Sequence, residues 1–365
     1  MTKSDERYME LALAEARKGE FQTWPNPWVG AVLVKGGKVV GRGWHRGAGL
    51  PHAEIEALRS AGTKARGATL YVTLEPCAHY GRTSPCAVAV LEAGIRRVVG
   101  ACPDPNPKAQ GGFAFLKRHK VEVTEGVLAA EAENLNRYFM HSVRTGRPWV
   151  TLKSAASLDG RTATSRGESK WITSAEARAD ARTLRGRCDA ILVGAGTVTA
   201  DEPTLMPEPK AGFLPWRLVL DPKGGLRGDE SVFRDEWASR TVWFAGVGAF
   251  KRALDASRRT GVQAQALRPG DLAAAVRAAM EWMRVNEIRR VMVEGGAATL
   301  GAFLGQGYGD EMVMYFAPRL EGSGRGRGMF DFPRERSLKE WPRLRLDEVA
   351  SVGPDLRLHG IFDRS

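Results

Sequence analysis

Cysteine is scarce in this sequence, with four residues among 365. Four cysteines cannot form the dense disulfide framework of a small secreted protein, so their spacing has to be examined for metal binding or catalysis. Long apolar runs are also missing. No stretch of eighteen apolar residues occurs, and residues 1–18 are charged throughout, unlike the apolar region of a secretory signal. We therefore expect a cytoplasmic protein in a reducing compartment.

Runs of like charge are absent as well, although the formal net charge is +12 at pH 7. The basic residues are scattered. A small phosphorylated ligand, a nucleic acid and an ordinary basic surface therefore explain the excess of positive charge equally well.

The length favours two domains. A content of 43% hydrophobic and 26% charged residues is typical of a globular protein.

Strand-like and helix-like segments alternate along the chain, which predicts an α/β fold. Within the first half, one continuous helix is expected over residues 128–141. Residues 143–148 are rich in turn-forming residues and are the predicted linker. We therefore expect a first domain over residues 1–145 and a second over residues 149–365.

Four residues near predicted element ends have the types and the spacing of a zinc site. His52 and Glu54 open one predicted helix, Cys77 follows a predicted strand, and Cys86 lies at the start of another helix. One imidazole and two thiolates supply three zinc ligands and leave a fourth position for water, as in catalytic zinc sites. Glu54 can reach that water and carry its proton to a leaving amine. This is the chemistry of a zinc deaminase acting on an aminopyrimidine.

Eight residues separate Cys77 from Cys86, whereas the usual deaminase signature has two. The insert carries His79 and Arg82, which could bind a phosphate or a ribose. Two alternatives remain open. The thiols could be buried apolar groups beside a surface histidine and glutamate, or His79 could complete a purely structural zinc site.

Short motifs distributed over both halves carry a family resemblance. In the first half they are Pro25-Asn26-Pro27, His52-Ala53-Glu54, Thr73-Leu74-Glu75-Pro76-Cys77 and Asp104-Pro105-Asn106-Pro107. In the second half they are Ser157-Leu158-Asp159-Gly160, Trp171-Ile172-Thr173, Gly196-Thr197-Val198 and Val293-Glu294-Gly295-Gly296. On these motifs, essentially the whole chain resembles the bifunctional deaminase–reductase family of riboflavin biosynthesis.

The resemblance implies two consecutive reactions, with Zn²⁺ and NADPH as cofactors. The first would hydrolyse the exocyclic 2-amino group of 2,5-diamino-6-ribosylamino-4(3H)-pyrimidinone 5′-phosphate, and the second would reduce the ribosyl chain to ribityl. It also implies an N-terminal cytidine-deaminase-like α/β/α sandwich and a C-terminal dihydrofolate-reductase-like domain. We expect a homo-oligomer that binds the small phosphorylated pyrimidine and neither nucleic acid nor a membrane.

The resemblance also implies which residues bind the ligands. The substrate positions of the first half fall on Asn26, His45, Arg82, Asp104 and Asn106, and those of the second half fall on Ser169, Arg185, Leu205 and Glu294. The NADPH positions fall on Ala155, Trp171, Thr197, Asp201, Gly296, Ala297, Ala298, Thr299, Leu300, Gly301 and Ala302. Turn formation beside proline is the alternative for the Asn and Asp positions of the first half, and core packing is the alternative for Trp171.

One position departs from the family pattern. Where the family has an arginine that helps to bind substrate, this chain has Glu208, and an acidic residue cannot hold a phosphate. Either Arg185 or an arginine in residues 325–327 replaces it, or the second half binds its substrate poorly. Lys153 and Asp201 could protonate or polarise the sugar carbon, with an ordinary ion pair as the alternative.

Two other functions remain open. One is a single-activity zinc deaminase of a nucleoside or tRNA base with a non-catalytic C-terminal binding domain. The basic charge permits it, but the chain lacks a basic stripe interleaved with aromatic residues. The other is a non-enzymatic sensor, which would not need the proton carrier Glu54.

Overall fold

The computed structural model describes residues 2–20, 22–79, 84–208 and 214–363. The chain folds into two compact units, Met1–Gly146 and Arg147–Ser365. The division falls at Gly146, which ends the last helix of the first unit with a left-handed backbone (φ 70°). Glycine adopts this conformation without the clash that a Cβ atom would cause.

The first unit alternates helices and strands. Its elements are α1 (Lys3–Arg17), β1 (Gly30–Lys35), β2 (Lys38–Trp44), α2 (Ala53–Ala61), β3 (Thr69–Leu74), α3 (Cys86–Glu92), β4 (Arg97–Cys102), α4 (Gly112–Arg118), β5 (Glu122–Thr124), α5 (Ala129–Leu135) and α6 (Arg137–Thr145), with a 3₁₀ helix at Gly62–Ala65. The sheet order is β2-β1-β3-β4-β5. Strands β3, β4 and β5 are parallel, and β1 pairs antiparallel with both β2 and β3.

Both faces of this sheet are covered by helices. Successive residues of β1 point to opposite faces, as the two-residue period of a strand requires. Val32 and Val34 pack with α1, α5 and α6, whereas Ala31 and Leu33 pack with α2, α3 and α4. The result is a three-layer α/β/α sandwich.

Glycines in the strands let the helices approach the sheet closely. A Cβ atom on Gly30 would lie 2.0 Å from the carbonyl oxygen of Ala12 in α1, and one on Gly43 would lie 2.3 Å from that of Ala53 in α2. The second contact fixes the start of α2 against β2. The N-cap residue of α2 is His52, so this packing determines where a predicted metal ligand stands.

The prediction of one helix over residues 128–141 is wrong, because the chain breaks at Asn136 into α5 and α6. The Asn136 side chain accepts a hydrogen bond from the backbone N–H of Trp28 (2.8 Å) and donates one to its carbonyl oxygen (2.9 Å). This clamp of two hydrogen bonds satisfies the backbone N–H and carbonyl groups of Trp28, which is distant in sequence, and it interrupts the helix at Asn136.

The second unit is built around a larger sheet. Its strands are β6 (Trp149–Ser157), β7 (Arg161–Ala163), β8 (Ala190–Gly194), β9 (Trp216–Asp221), β10 (Thr241–Ala245), β11 (Gln263–Ala266), β12 (Arg290–Val293), β13 (Glu311–Ala317), β14 (Arg327–Gly328), β15 (Leu344–Val352) and β16 (Asp355–Phe362). Its helices are α7 (Ala175–Arg185), α8 (Ala195–Asp201), α9 (Phe250–Thr260), α10 (Leu272–Val285) and α11 (Ala297–Gly305), with 3₁₀ turns at Ser231–Phe233, Ala238–Arg240 and Leu338–Glu340.

Nine of these eleven strands form the larger sheet, in the order β11-β10-β9-β8-β12-β6-β13-β16-β15, and β7 pairs antiparallel with β14 in a separate two-stranded sheet. Every neighbouring pair from β11 to β13 is parallel, whereas the pairs β13–β16 and β16–β15 are antiparallel. Ligands of such sheets bind beyond the carboxyl ends of the strands. The sequence did not predict the hairpin β15–β16, because β15 is mostly exposed and lacks the apolar alternation of a half-buried strand.

Among the helices of the described ranges, none combines the length and the apolar character that crossing a bilayer requires.

Candidate functional site

The predicted metal ligands come together at one end of the first unit's sheet. His52 precedes α2, Cys77 follows β3, and Cys86 is the first residue of α3. The Nδ1 atom of His52 lies 3.2 Å from Cys86 Sγ and 3.7 Å from Cys77 Sγ. All three donor atoms lie within 4.8 Å of one another.

These spacings fit zinc. Bonds of about 2.3 Å to sulfur and about 2.0 Å to nitrogen place the ligand atoms of a tetrahedral site roughly 3.5–3.8 Å apart. His79 is exposed and is not part of the cluster that the described residues form, so it does not complete a four-ligand structural site.

The three donor groups are strongly coupled electrostatically. The hydrogen bond with Cys86 lowers the pKa of the Cys77 thiol, and the same contact raises the pKa of Cys86. Contact with Cys77 raises the pKa of His52 to about 9. One thiolate therefore disfavours a second beside it, and a divalent cation is what lets both sulfurs ionise while the imidazole stays neutral.

Glu54 lies in the first turn of α2 and is 3% exposed. Burial raises the pKa of its carboxyl group to about 7, and the group lies within hydrogen-bonding reach of Cys86. A carboxyl group that titrates near neutrality can both accept and release a proton. The alternative in which Glu54 is a surface residue is wrong.

Asn26 and His45 stand beside the ligand set. The His45 ring meets the His52 ring edge-on, with 5.4 Å between centroids, and Asn26 Nδ2 lies 3.0 Å from His45 Nε2. Burial lowers the pKa of His45. Arg82, the fifth predicted substrate residue of this half, lies outside the described residues.

Asp104 and Asn106 lie on the loop after β4 and form the turn that the sequence offered as an alternative. The backbone N–H of Asn106 donates to Asp104 Oδ1 (2.8 Å), and that of Lys108 donates to Asn106 Oδ1 (3.1 Å). Burial raises the pKa of Asp104 to about 6, and its charge interacts with Cys77. The turn uses one oxygen of each side chain, and Asp104 interacts electrostatically with the ligands Cys77 and His52.

Sequence reasoning missed the role of Glu75, which follows β3 and is buried. Its Oε2 atom accepts from the N–H of Asp104 (3.1 Å), and its Oε1 atom accepts from the N–H groups of Gly111 (3.0 Å) and Phe113 (3.0 Å). One carboxylate thus joins the Cys77 segment to the loop that carries Asp104. The signal in the sequence was a lone acidic residue between an apolar strand and Pro76.

In the second unit, predicted residues gather at the carboxyl ends of β8, β12 and β6. Glu294 follows β12 and forms a bidentate ion pair with Arg185, the last residue of α7, at 2.7 and 3.0 Å. Burial alone would raise the pKa of Glu294, but the charges of Arg185 and Lys153 outweigh it and lower the pKa. Burial lowers the pKa of Lys153, whose charge also interacts with Asp201.

The predicted NADPH segment, Gly296 to Ala302, covers the N-cap and first turns of α11. The side chains of Thr299, Leu300 and Ala302 are buried. This leaves the main-chain N–H groups at the start of α11 as the atoms that can bind a phosphate.

The remaining predicted positions of the second unit lie on several elements. Trp171 is 64% exposed and lies under the Arg178 guanidinium at 4.4 Å, so its core-packing alternative is wrong. Leu205 is buried with a left-handed backbone (φ 59°), so only its main chain can meet a ligand. Ala155 and Ser169 are half-buried, on β6 and on the loop before α7 respectively, and Thr197 lies on α8.

Glu208, the residue that departs from the family pattern, forms an ion pair with an arginine. Glu208 Oε2 lies 2.5 Å from Nε of Arg182 on α7. Arg185, the replacement that the sequence suggested, has Nε and Nη2 on Glu294 and Nη1 on the carbonyl oxygen of Met206 (3.2 Å). Arg182, which no sequence pattern indicated, is therefore the arginine that lies beside this position.

Comparison with known proteins agrees with this geometry. Residues 2–102 match the cytidine and deoxycytidylate deaminase zinc-binding region, and residues 148–358 match the RibD C-terminal domain. Fold and donor set together define a zinc-dependent deaminase joined to a reductase, with zinc and NADPH as cofactors.

Full-length relatives narrow the class to one family. The riboflavin biosynthesis protein RibD of Bacillus amyloliquefaciens is 44% identical over 98% of this chain and 96% of its own, and that of Escherichia coli K12 is 41% identical over 97% and 98%. Solved structures of Acinetobacter baumannii RibD (form 2; TM-score 0.88, 37% identity) and of a Thermotoga maritima diaminohydroxyphosphoribosylaminopyrimidine deaminase/5-amino-6-(5-phosphoribosylamino)uracil reductase (TM-score 0.84, 34% identity) each cover 99% of both chains.

The chain belongs to the RibD family of bifunctional riboflavin-biosynthesis proteins. The predicted family, fold class, two activities and two cofactors are confirmed. The single-activity alternative and the non-enzymatic sensor are both wrong, because the second unit is a reductase domain of this family.

Proposed function

We propose that the first unit hydrolyses the exocyclic 2-amino group of 2,5-diamino-6-ribosylamino-4(3H)-pyrimidinone 5′-phosphate. The second unit then reduces the ribosyl chain of the product, 5-amino-6-(5-phosphoribosylamino)uracil, to ribityl with NADPH. The observation that carries the proposal is the buried carboxyl group of Glu54 beside the His52, Cys77 and Cys86 donor set. A sensor or a structural zinc site has no use for such a group.

In the deamination, His52, Cys77 and Cys86 would hold the metal. When bound, zinc acts as a Lewis acid that lowers the pKa of water towards neutrality. Glu54 takes the proton of the attacking water and delivers it to the leaving amine, which departs as ammonia.

The substrate contacts of this half are assigned to Asn26, Asp104, Asn106 and Arg82, with His45 in the same cluster. The position of Asn26 and Asp104 beside the ligand set supports these roles. Amide and carboxyl groups can pair with the polar edge of a pyrimidine, and a guanidinium group suits a phosphate.

In the reduction, the start of α11 and the residues Ala155, Trp171, Thr197 and Asp201 bind NADPH. Main-chain N–H groups at a helix start suit the pyrophosphate. Ser169, Arg185, Leu205 and Glu294 are assigned to the substrate. Lys153, which is half-buried and interacts electrostatically with Glu294, is assigned to give a proton to the sugar as hydride arrives.

The ligand of both units is a small phosphorylated pyrimidine, and nucleic acid is not a partner. A cytoplasmic location is supported by four cysteines without disulfides. A homo-oligomer is supported by the edge strand β15, which exposes Leu346 and Val349, since exposed apolar edge strands are surfaces on which a second chain can pair.

Glu54→Gln tests the proposal. We expect ammonia release from the diaminopyrimidine phosphate to fall at least about 100-fold, because the amide cannot carry a proton. Zinc content should stay unchanged, and NADPH oxidation should persist when the deaminated intermediate is supplied directly. Glu56→Gln, two residues further along α2, is the matched control and should keep both activities. Normal ammonia release by Glu54→Gln would refute the role of Glu54.

A further inference from the structure

The hydrogen bonds of the His45 imidazole determine which ring nitrogen carries the proton. His45 is 3% exposed, and its Nδ1 atom lies 3.1 Å from the carbonyl oxygen of Pro51. A carbonyl oxygen only accepts, so Nδ1 is the donor. In a neutral imidazole the other nitrogen, Nε2, then presents a lone pair.

That lone pair determines the orientation of the Asn26 amide. The partner of His45 Nε2 is the side chain of Asn26 at 3.0 Å, and only its Nδ2 atom can donate. The reverse orientation would set an amide oxygen against the lone pair. Within the described parts of the chain, the Oδ1 atom of Asn26 has no hydrogen-bond partner. It is an acceptor available to a ligand.

This acceptor stands next to the metal ligands, because the His45 ring lies edge-on to the His52 ring with 5.4 Å between centroids. We propose that His45 is a positioning residue that locks the Asn26 amide, so that Oδ1 selects a heterocycle offering an N–H or NH₂ donor at that edge. The inference rests on the deaminase function proposed above, and it changes the expected role of His45 from substrate contact to support of Asn26.

A double-mutant cycle separates the two roles of His45. If it acts through Asn26, His45→Ala raises KM for the diaminopyrimidine phosphate about 10-fold in the wild-type background, the effect of one lost hydrogen bond. In the Asn26→Ala background, His45→Ala then changes KM by less than about 2-fold, because the group it positions is gone. Independent effects of the two substitutions would overturn the proposal.

His45→Gln is the rescue variant. A glutamine amide can donate to the Pro51 carbonyl and accept from Asn26 with the same polarity as the neutral imidazole. We expect it to keep KM within about 3-fold of wild type with full zinc content, whereas a residue needed only to fill space would be replaced as well by His45→Leu. Equal KM values for the Gln and Leu variants would contradict the proposal.

One measurement does not depend on turnover. Long-range ¹H–¹⁵N NMR spectra of the zinc-loaded full-length protein identify the tautomer of His45. We expect the Nδ1–H form, and an Nε2–H form or a doubly protonated ring would overturn the proposal even if the enzyme is active. Conversely, an Nδ1–H form in a protein that releases no ammonia would count against the proposed function and not against the role of His45.

Discussion

The carboxylate of Glu75 offers a sharp test of how the loop beside the metal ligands is held. It accepts three hydrogen bonds from the backbone N–H groups of Asp104, Gly111 and Phe113, at 3.1, 3.0 and 3.0 Å. Glu75→Gln keeps the size of the side chain but replaces one acceptor oxygen by an NH₂ group. At least one backbone N–H then faces another donor.

The magnitude follows from these three bonds. One buried donor without a partner costs about 1–3 kcal/mol, and the two remaining bonds lose their charge assistance, about 1 kcal/mol each. The easier burial of a neutral amide offsets part of this loss. We therefore expect the first unit to be destabilised by about 2–4 kcal/mol.

Amide hydrogen exchange of β3 and β4 in the full-length protein measures this change. A loss of about 2–4 kcal/mol corresponds to exchange that is roughly 30–1000-fold faster. The KM for the diaminopyrimidine phosphate should rise as well, because Asp104 and Asn106 lose their support. Glu10→Gln, at an exposed position of α1, is the matched control. Exchange rates and KM that match those of the control would refute the role given to Glu75.

Three further predictions concern charge and metal. Burial would raise the pKa of Asp5, but hydrogen bonds led by Arg97 lower it from 3.8 to about 2. The ionised group therefore stabilises the first unit above about pH 4 by about 1–2 kcal/mol, and this contribution is lost as the pH falls towards 2. The difference in amide hydrogen exchange between wild type and Asp5→Asn should shrink over that range. A difference that stays constant with pH would contradict the role of Asp5. Glu294→Gln leaves the half-buried Arg185 charge poorly paired, so urea unfolding of the second unit should show a loss of about 1–3 kcal/mol together with loss of NADPH oxidation, while ammonia release persists. Removal of zinc by a chelator should abolish ammonia release but leave reduction of supplied intermediate intact, and loss of both activities would contradict separate sites.

Residues close together in sequence were predictable because their chemistry depends on local element ends. His52 and Glu54 lie at the start of α2, Cys77 follows β3 and Cys86 starts α3, so spacing and residue type were enough to predict three zinc ligands and a proton carrier. The α/β alternation likewise predicted the fold class, since strand and helix periods differ in the sequence itself.

Partners that are distant in sequence could not be predicted, because nothing local specifies them. The Asn136–Trp28 clamp spans 108 residues and breaks a helix that local propensity favours. The Arg185–Glu294 pair spans 109 residues and uses an arginine that the sequence offered as a phosphate ligand. Such pairs form only when the tertiary fold has brought the two distant segments together.

The sequence alone determined the family of the chain through its short motifs; the resemblance then gave the two cofactors, and residue identity and spacing predicted the zinc ligand set. The tertiary structure decided how those groups are held: Glu75 fastens the loop of Asp104, and His45 orients the amide of Asn26. The tertiary structure also decided the proton affinity of Glu54. Burial raises the pKa of its carboxyl group to about 7, and that burial depends on the packing of the whole unit.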